Sequence, residues 1–290
     1  MDDQLTQAVL ASFEQAASDR FRTVVQSLVR HLHAFVREVE LTEEEWSRGI
    51  DFLTRTGQIT TDQRQEFILL SDVLGVSMLT IGVNDRRPAG ATESTVFGPF
   101  YVDGSPRFEL GDDLSGGAPG EPCLVQGAVR SLDGEPVAGA RLEVWQADDE
   151  GLYDVQYADL EHPRGRGHLF SDGDGRFRFW TVRPTAYPIP VDGPVGELLA
   201  AASRGIMRPA HVHFMVEAAG FQRLITHVFV AGGPYLGSDA VFGVKESLVA
   251  EFERHEPGTA PDGRVLDVPF YTAAYDLVLA PEPSHAGPGG

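Results

Sequence analysis

The apolar pattern changes period near residue 90, and this switch constrains the fold more than any other feature of the 290-residue chain. Up to about residue 85, Phe21, Val24, Val25, Leu28, Leu32, Phe35, Val36 and Val39 recur at helical spacing and form one broad apolar face. Thr42 with Glu45 has the form of a capping box ahead of Trp46 and Ile50. Gly57 reads as a stop signal, and Thr60 with Gln63 offers a second box ahead of Phe67, Ile68, Leu70 and Val73. These helices have no long core of their own. The second half of the chain, another subunit, or both are expected to cover them.

After residue 90, glycine and proline become frequent and short alternating runs take over. Residues 124–129 and 140–145 read as strands separated by a turn at 132–135. A second turn at 171–175 leads into a strand at 176–180. Many short strands between turn signals predict a β-sandwich or barrel. Residues 244–252 read as a short helix, and 281–290 as a disordered tail. The expectation is an α+β chain: a helical region over 1–90, a mainly β-sandwich domain over 91–280, and the tail.

Charge and composition narrow the chemistry. A formal net charge of −20 argues against nucleic acid or anionic lipid surfaces as partners, because both need a basic face. Any anionic substrate would need a local cation. Lys245 is the single lysine, so arginines and histidines are the cations to follow. Cys123 is the single cysteine, which excludes an internal disulfide and a cysteine-based zinc site. No run reaches the roughly 18 consecutive apolar residues of a membrane span. The acidic start Met1-Asp2-Asp3-Gln4 has no apolar signal core, so a cytoplasmic protein is expected.

The strongest chemical signal is Arg208-Pro209-Ala210-His211-Val212-His213-Phe214. On a strand, positions two apart point the same way, so His211 and His213 can reach one metal. His31 and His33 share the spacing but lie in the helical stretch, where two residues turn roughly 200° about the axis, and they read as solvated. Taken alone, His-x-His leaves a metal role and a surface role both open. Tyr153 follows a turn at 148–151, just after the strand ending at Trp145. Tyr187 lies in a loop stiffened by Pro184, Pro188 and Pro190.

Three separated blocks carry a resemblance: residues 144–154 around Tyr153, the Tyr187 loop, and 208–214. Together with the N-terminal helices they resemble the intradiol ring-cleavage dioxygenase family over most of the chain. The resemblance implies Fe(III) held by Tyr153, Tyr187, His211 and His213, with a solvent hydroxide as fifth ligand. It implies that Arg208 lies beside a catecholic substrate that reacts with O2. It also implies that Tyr187 gives way to substrate while Tyr153 stays. Ferric iron is a hard cation that favours anionic oxygen and accepts imidazole, and coordination removes a phenolic proton outright. Two tyrosinates and a hydroxide balance its three charges. The family's helical region further implies a homodimer, which in many members encloses a phospholipid.

Residues 95–101, 187–191 and 238–242 are similar to the branch acting on hydroxyquinol, whose product is 3-hydroxy-cis,cis-muconate or maleylacetate. Catechol and chlorocatechols are the alternative substrates. In that branch Leu69, Asp72, Val96, Phe97, Gly98, Pro99, Phe100, Ile189, Pro190 and Val241 match pocket-lining positions. Asp72 sits among Leu69, Leu70 and Val73, where a carboxylate can accept a hydrogen bond from a third substrate hydroxyl. His227 reads as an orienting neighbour of the metal rather than a ligand. His162, His168 and His255 read as solvated, and residues 172–174 as a turn rather than a calcium loop. One rival is a non-catalytic β-sandwich binding module with a structural metal, since residues 127–145 resemble transthyretin-like sandwiches. Such a module needs neither tyrosine block. A protocatechuate-type enzyme is the other rival, and it resembles the N-terminal half less.

Overall fold

The computed structural model describes residues 2–62 and 64–283. Two compact units divide between Arg55 and Thr56. Helices α1 (Asp2–Ala11) and α2 (Asp19–Glu38) belong to the first unit, and α3 (Glu43–Ile59) begins in it. Ser18 caps α2 by accepting from Phe21 N at 3.0 Å. Thr42 and Glu45 form the expected reciprocal box at the start of α3, with Thr42 N to Glu45 Oε2 at 2.9 Å and Glu45 N to Thr42 Oγ1 at 3.2 Å. His33 is only part-exposed, because α1 packs on α2 and brings Thr6 Oγ1 within 2.9 Å of its Nδ1. No residue of α2 is buried, and its apolar face is open.

The second unit contains α4 (Glu66–Val73), α5 (Val76–Asn84) and α6 (Pro194–Ala201). Gly75 adopts φ +71 between α4 and α5 and lets the chain bend there by 76°. Among the described residues, no single helix is long and apolar enough to cross a membrane. Gly57 does not stop α3, which continues to Ile59; a side chain at that position would meet the Phe67 ring at 3.6 Å. Thr60 bonds Thr56 O instead of capping α4, whose N-cap Gln65 makes no side-chain cap. Gln63 lies outside the described residues.

The strands are β1 (Pro122–Ser131), β2 (Arg141–Trp145), β3 (Arg166–Phe170), β4 (Arg176–Val182), β5 (Tyr187–Pro188) and β6 (Met207–Arg208). They continue with β7 (His211–Glu217), β8 (Leu224–Val230), β9 (Val249–Ala250) and β10 (Phe252–His255). The last four are β11 (Gly258–Thr259), β12 (Val265–Leu266), β13 (Phe270–Ala274) and β14 (Leu277–Leu279). One five-stranded sheet has the order β3-β2-β7-β8-β9. The other is centred on β1, which pairs antiparallel with β4 and in parallel with β13 and then β14, while β10 joins β13. Their inner faces share one core: Leu142, Val144, Val212, Phe214 and Val228 from the first sheet, Cys123, Val125, Phe177 and Phe179 from the second. The expected β-sandwich is present.

Period-two alternation decides where the chemistry goes. Val212, Phe214 and Val216 of β7 face the core, so His211, His213 and Met215 face outward. The same alternation turns Trp145 of β2 and His227 of β8 outward, and both pair directly with His213. This outer face is nonetheless buried, because Phe100, Ala147, Tyr153 and Tyr187 pack with Trp145 and Met215.

Three further sequence expectations are corrected. Residues 244–252 are not a helix: a single 3₁₀ turn at Glu246–Leu248 precedes β9, which pairs in parallel with Phe229–Val230, and β10 follows. Ladder pairing outweighs an ambiguous apolar spacing there. His168 is on β3 with its ring against Ser105, and His255 is on β10, stacked on Phe270 and 2.8 Å from Thr272 Oγ1; neither is simply solvated. The tail begins ordered, since Pro281 bridges to Phe221 and Glu282 N donates to Gly220 O at 2.9 Å. Its residues 284–290 lie outside the described residues.

Candidate metal centre and active site

Local structure fixes each tyrosine. Asp148 Oδ1 accepts from Glu150 N and Leu152 N, closing the turn before Tyr153. Gly151 sits in that turn at φ +78, and a Cβ there would be 2.8 Å from Tyr187 Cβ, so glycine lets the two tyrosine segments touch. Tyr153 N donates to Gln156 Oε1 at 2.9 Å, and the ring stacks on Phe100 at 4.4 Å. Asp154 is chelated by Arg166, which also donates to Phe100 O at 2.7 Å. Tyr187 pairs across the β5–β6 ladder with Arg208, so the ring and the guanidinium arrive together.

Four atoms converge. Tyr153 Oη lies 3.1 Å from Tyr187 Oη, 2.9 Å from His213 Nε2 and 3.5 Å from His211 Nε2. Tyr187 Oη is 3.5 Å from His211 Nε2, and the two imidazole Nε2 atoms are 3.1 Å apart. With metal bonds of about 2.1 Å, right-angled ligands stand about 3.0 Å apart and tetrahedral ones about 3.4 Å. The observed spacings, 2.9 to 3.5 Å, lie within about 0.1 Å of that range.

Protonation also fits a cation. His211 Nδ1 lies 2.7 Å from Pro209 O, and a carbonyl can only accept, so Nδ1 carries the proton and Nε2 keeps its lone pair. Burial, with the Arg208 charge adding to it, pushes His211 down to about 3. Burial and the neighbouring His211 push His213 well below its usual range. Both imidazoles are therefore neutral at pH 7. Burial raises the Tyr153 and Tyr187 phenols, with Tyr187 raising Tyr153 further and Arg208 opposing the rise at Tyr187. Only a strong local positive charge would ionise both rings in so dry a site.

The pocket residues divide by place. A cavity of about 330 Å³ is lined by Leu69, Pro99, Phe100 and Pro190, with Arg64 and Asp192 among its other walls. Val96, Ile189 and Val241 join Leu69 in a buried apolar cluster with Val73 and Val195. Phe97 packs edge-on to Trp145, and Gly98, at φ +79, lies where a Cβ would be 3.1 Å from His213 Cε1. Asp72 is 2 % exposed, and its Oδ1 has no partner. His227 Nδ1 is 2.9 Å from Thr95 Oγ1, and its Nε2 has no partner, although the three histidines have ligand atoms within 4.8 Å of one another.

Sequence reasoning missed three supports of this site: Thr95 against His227, the Trp145 ring stacked on His213 at 4.6 Å, and Asp239 against Arg208. A visible signal existed for Asp239, a lone acid beside the apolar run Ala240-Val241-Phe242.

Comparison with known proteins supplies the context. Residues 96–281 match the family described as "Dioxygenase", and residues 18–92 match "Catechol dioxygenase N terminus". The chain is 56% identical to a hydroxyquinol 1,2-dioxygenase of Nocardioides simplex, over 97% of this chain and 96% of that protein. A solved structure of hydroxyquinol 1,2-dioxygenase from Pseudomonas putida DLL-E4 superposes with a TM-score of 0.89 at 48% identity, covering 97% of this chain and 99% of that one. Catechol 1,2-dioxygenase from Pseudomonas arvilla C-1 superposes with a TM-score of 0.85 at 27% identity, covering 99% and 94%.

Proposed function

Since the chain belongs to the intradiol ring-cleavage dioxygenase family, we propose that it opens hydroxyquinol with O2 to 3-hydroxy-cis,cis-muconate, the enol form of maleylacetate. The alternative reading is a catechol or chlorocatechol 1,2-dioxygenase. Both atoms of O2 enter the two new carboxyl groups, so the reaction needs no external reductant.

The observation that carries this reading is the convergence of two phenol oxygens and two imidazole nitrogens from separate segments on one point. Hard phenolate oxygens with neutral imidazoles suit Fe(III), and Tyr153, Tyr187, His211 and His213 would hold it. When bound, the ion supplies Lewis-acid polarisation of a chelated diol, which opens the ring to attack by O2. Tyr187 would be the ligand released to the substrate, and its Oη would take up a proton from a substrate hydroxyl. Tyr153 would remain, its ring stacked on Phe100 and its neighbour Asp154 fixed by Arg166. Arg208 holds a fixed positive charge 3.4 Å from Tyr187 Oη, beside the place where negative charge collects on the ring. His227 keeps its ring against His213 without ligating. Leu69, Val96, Ile189 and Val241 exclude water, and Asp72 accepts the third hydroxyl, the group that distinguishes hydroxyquinol from catechol.

Purified, iron-loaded protein is expected to be red-brown from tyrosinate charge transfer and to consume O2 with hydroxyquinol. Tyr153→Ala and His213→Ala should lose colour and activity together. A folded, iron-loaded variant that keeps its oxygen uptake would refute the ligand set. If catechol is turned over with a much higher kcat/KM than hydroxyquinol, the substrate reading fails while the family stands. The same family supports a homodimer formed through the helical region, with a phospholipid enclosed at its apolar face.

A further inference from the structure

Arg208 presents two edges, and only one faces the four converging atoms. Its Nη1 lies 3.2 Å from His211 Nε2 and 3.4 Å from Tyr187 Oη. The opposite edge is held by Asp239, with Nε 3.1 Å from Oδ1 and Nη2 3.4 Å from Oδ2. Both side chains are almost wholly enclosed, at 3% and 2% exposure.

Asp239 is itself fixed by its own turn. Its Oδ1 accepts from Val241 N at 3.3 Å and its Oδ2 from Gly243 N at 2.9 Å, while its backbone carbonyl accepts from Phe242 N at 3.1 Å. A Cβ at Gly243 would come 3.1 Å from Oδ2 and 3.2 Å from Arg208 Nη2, so glycine there lets the turn close over the pair. The turn belongs to the long connection between β8 and β9, which also carries Val241 into the buried cluster with Leu69, Val96 and Ile189. A carboxylate with both oxygens shared between backbone amides and a guanidinium has a single position.

We propose that Asp239 is a positioning residue for Arg208: by chelating the Nε–Nη2 edge it aims Nη1 at the substrate position. It also balances the buried cation, so that the guanidinium charge does not compete in full with the metal. The inference rests on the reading of Arg208 given above. A guanidinium has five donors on a long flexible stem, and orientation of a charge before reaction is what makes it effective in a dry site. The carboxylate removes that freedom.

A double-mutant cycle tests it, using Asp239→Asn, Arg208→Gln and the double variant, all iron-loaded. Asparagine keeps the shape but loses the charge and one acceptor. Asp239→Asn should lower kcat for hydroxyquinol by at least about tenfold, with KM changed much less, as expected for loss of an oriented charge. In the Arg208→Gln background the same change should alter kcat by less than about twofold, since a residue acting through another is silent without it. The tyrosinate charge-transfer band should shift in the same direction in Asp239→Asn and Arg208→Gln, a response that a purely structural role would not produce. Losses that multiply in the double variant, or an unchanged kcat in Asp239→Asn, overturn the proposal. If Asp239→Asn is too unstable to load iron, Arg208→Gln is compared with the double variant, which leaves no buried unpaired charge. Equal kcat supports the proposal, and a further loss overturns it. Wild-type protein inactive on hydroxyquinol counts against the substrate reading alone, and the band shifts then decide the role of Asp239.

Discussion

Asp72 is a buried carboxylate with one oxygen, Oδ1, left unpartnered. Burial lifts it from its ordinary 3.8 to about 6, with a hydrogen bond from Ser77 and the Arg208 charge opposing only part of the rise. An acid whose folded pKa is raised binds a proton in the folded state that the unfolded chain has released. Stability therefore falls as pH rises from about 4 to about 6, and the cost, about 3 kcal/mol, is present in full above that window. Asp72→Leu is thus expected to raise Tm at pH 8 but not at pH 4. The same variant should lower the preference for hydroxyquinol over catechol, as a ratio of kcat/KM, by about 10–10²-fold, because the third hydroxyl loses its acceptor. In the wild type that preference should decline as pH falls below about 6, and in Asp72→Leu it should stay flat. A variant that is stabilised yet retains full preference would separate Asp72 from substrate recognition.

Elements deliver these side chains, and Gly151 shows how narrow the tolerance is. Gly151→Ala places an L-residue at φ +78, which costs about 1–2 kcal/mol, and sets its Cβ 2.8 Å from Tyr187 Cβ. Gly134 provides the control: its φ is +82, but nothing lies within 4 Å. Both alanine variants should lose stability, while only Gly151→Ala should lower iron content and move the charge-transfer band, by forcing the tyrosine segments apart. Equal iron content in the two variants would show that this close approach does not set the ligand geometry. Where structure follows from local period, it was legible in advance. Period two put His211 and His213 on one face, and the helical period separated His31 from His33. Residues 244–252 depart from the helical expectation because their partners, Phe229 and Ala273, are distant in sequence and only the ladders favour strands there. Thr95, Trp145 and Asp239 escaped for the same reason, as each acts on a residue that only the folded sandwich brings near. The two tyrosines proposed as ligands, too, are pointed to by resemblance and not by spacing, since no periodicity joins a turn at 153 to a loop at 187.

At the scale of the whole molecule, α2 is an amphipathic helix whose apolar side stays about half exposed, with none of its residues buried among the described residues. Phe21, Leu28, Leu32 and Phe35 are each half exposed or more, and the stripe from Phe21 to Val39 runs about 27 Å along the axis. A continuous apolar face of that length is far beyond the scattered exposed residues of an ordinary monomer surface. The net charge of −20 opposes close approach of two copies in general. Association should therefore favour this face, where apolar burial outweighs repulsion, and should strengthen with added salt as repulsion is screened. The protein is expected to sediment as a dimer at micromolar concentration, and Leu28→Glu with Leu32→Glu as a monomer. The four side chains proposed to hold the metal all belong to the Thr56–Gly290 unit, so the monomeric variant should keep its iron and colour. Phosphorus assayed after organic extraction should be present in wild type and depleted in the variant, if lipid shares the same face. A wild-type protein that sediments only as a monomer would leave this helix without its proposed partner.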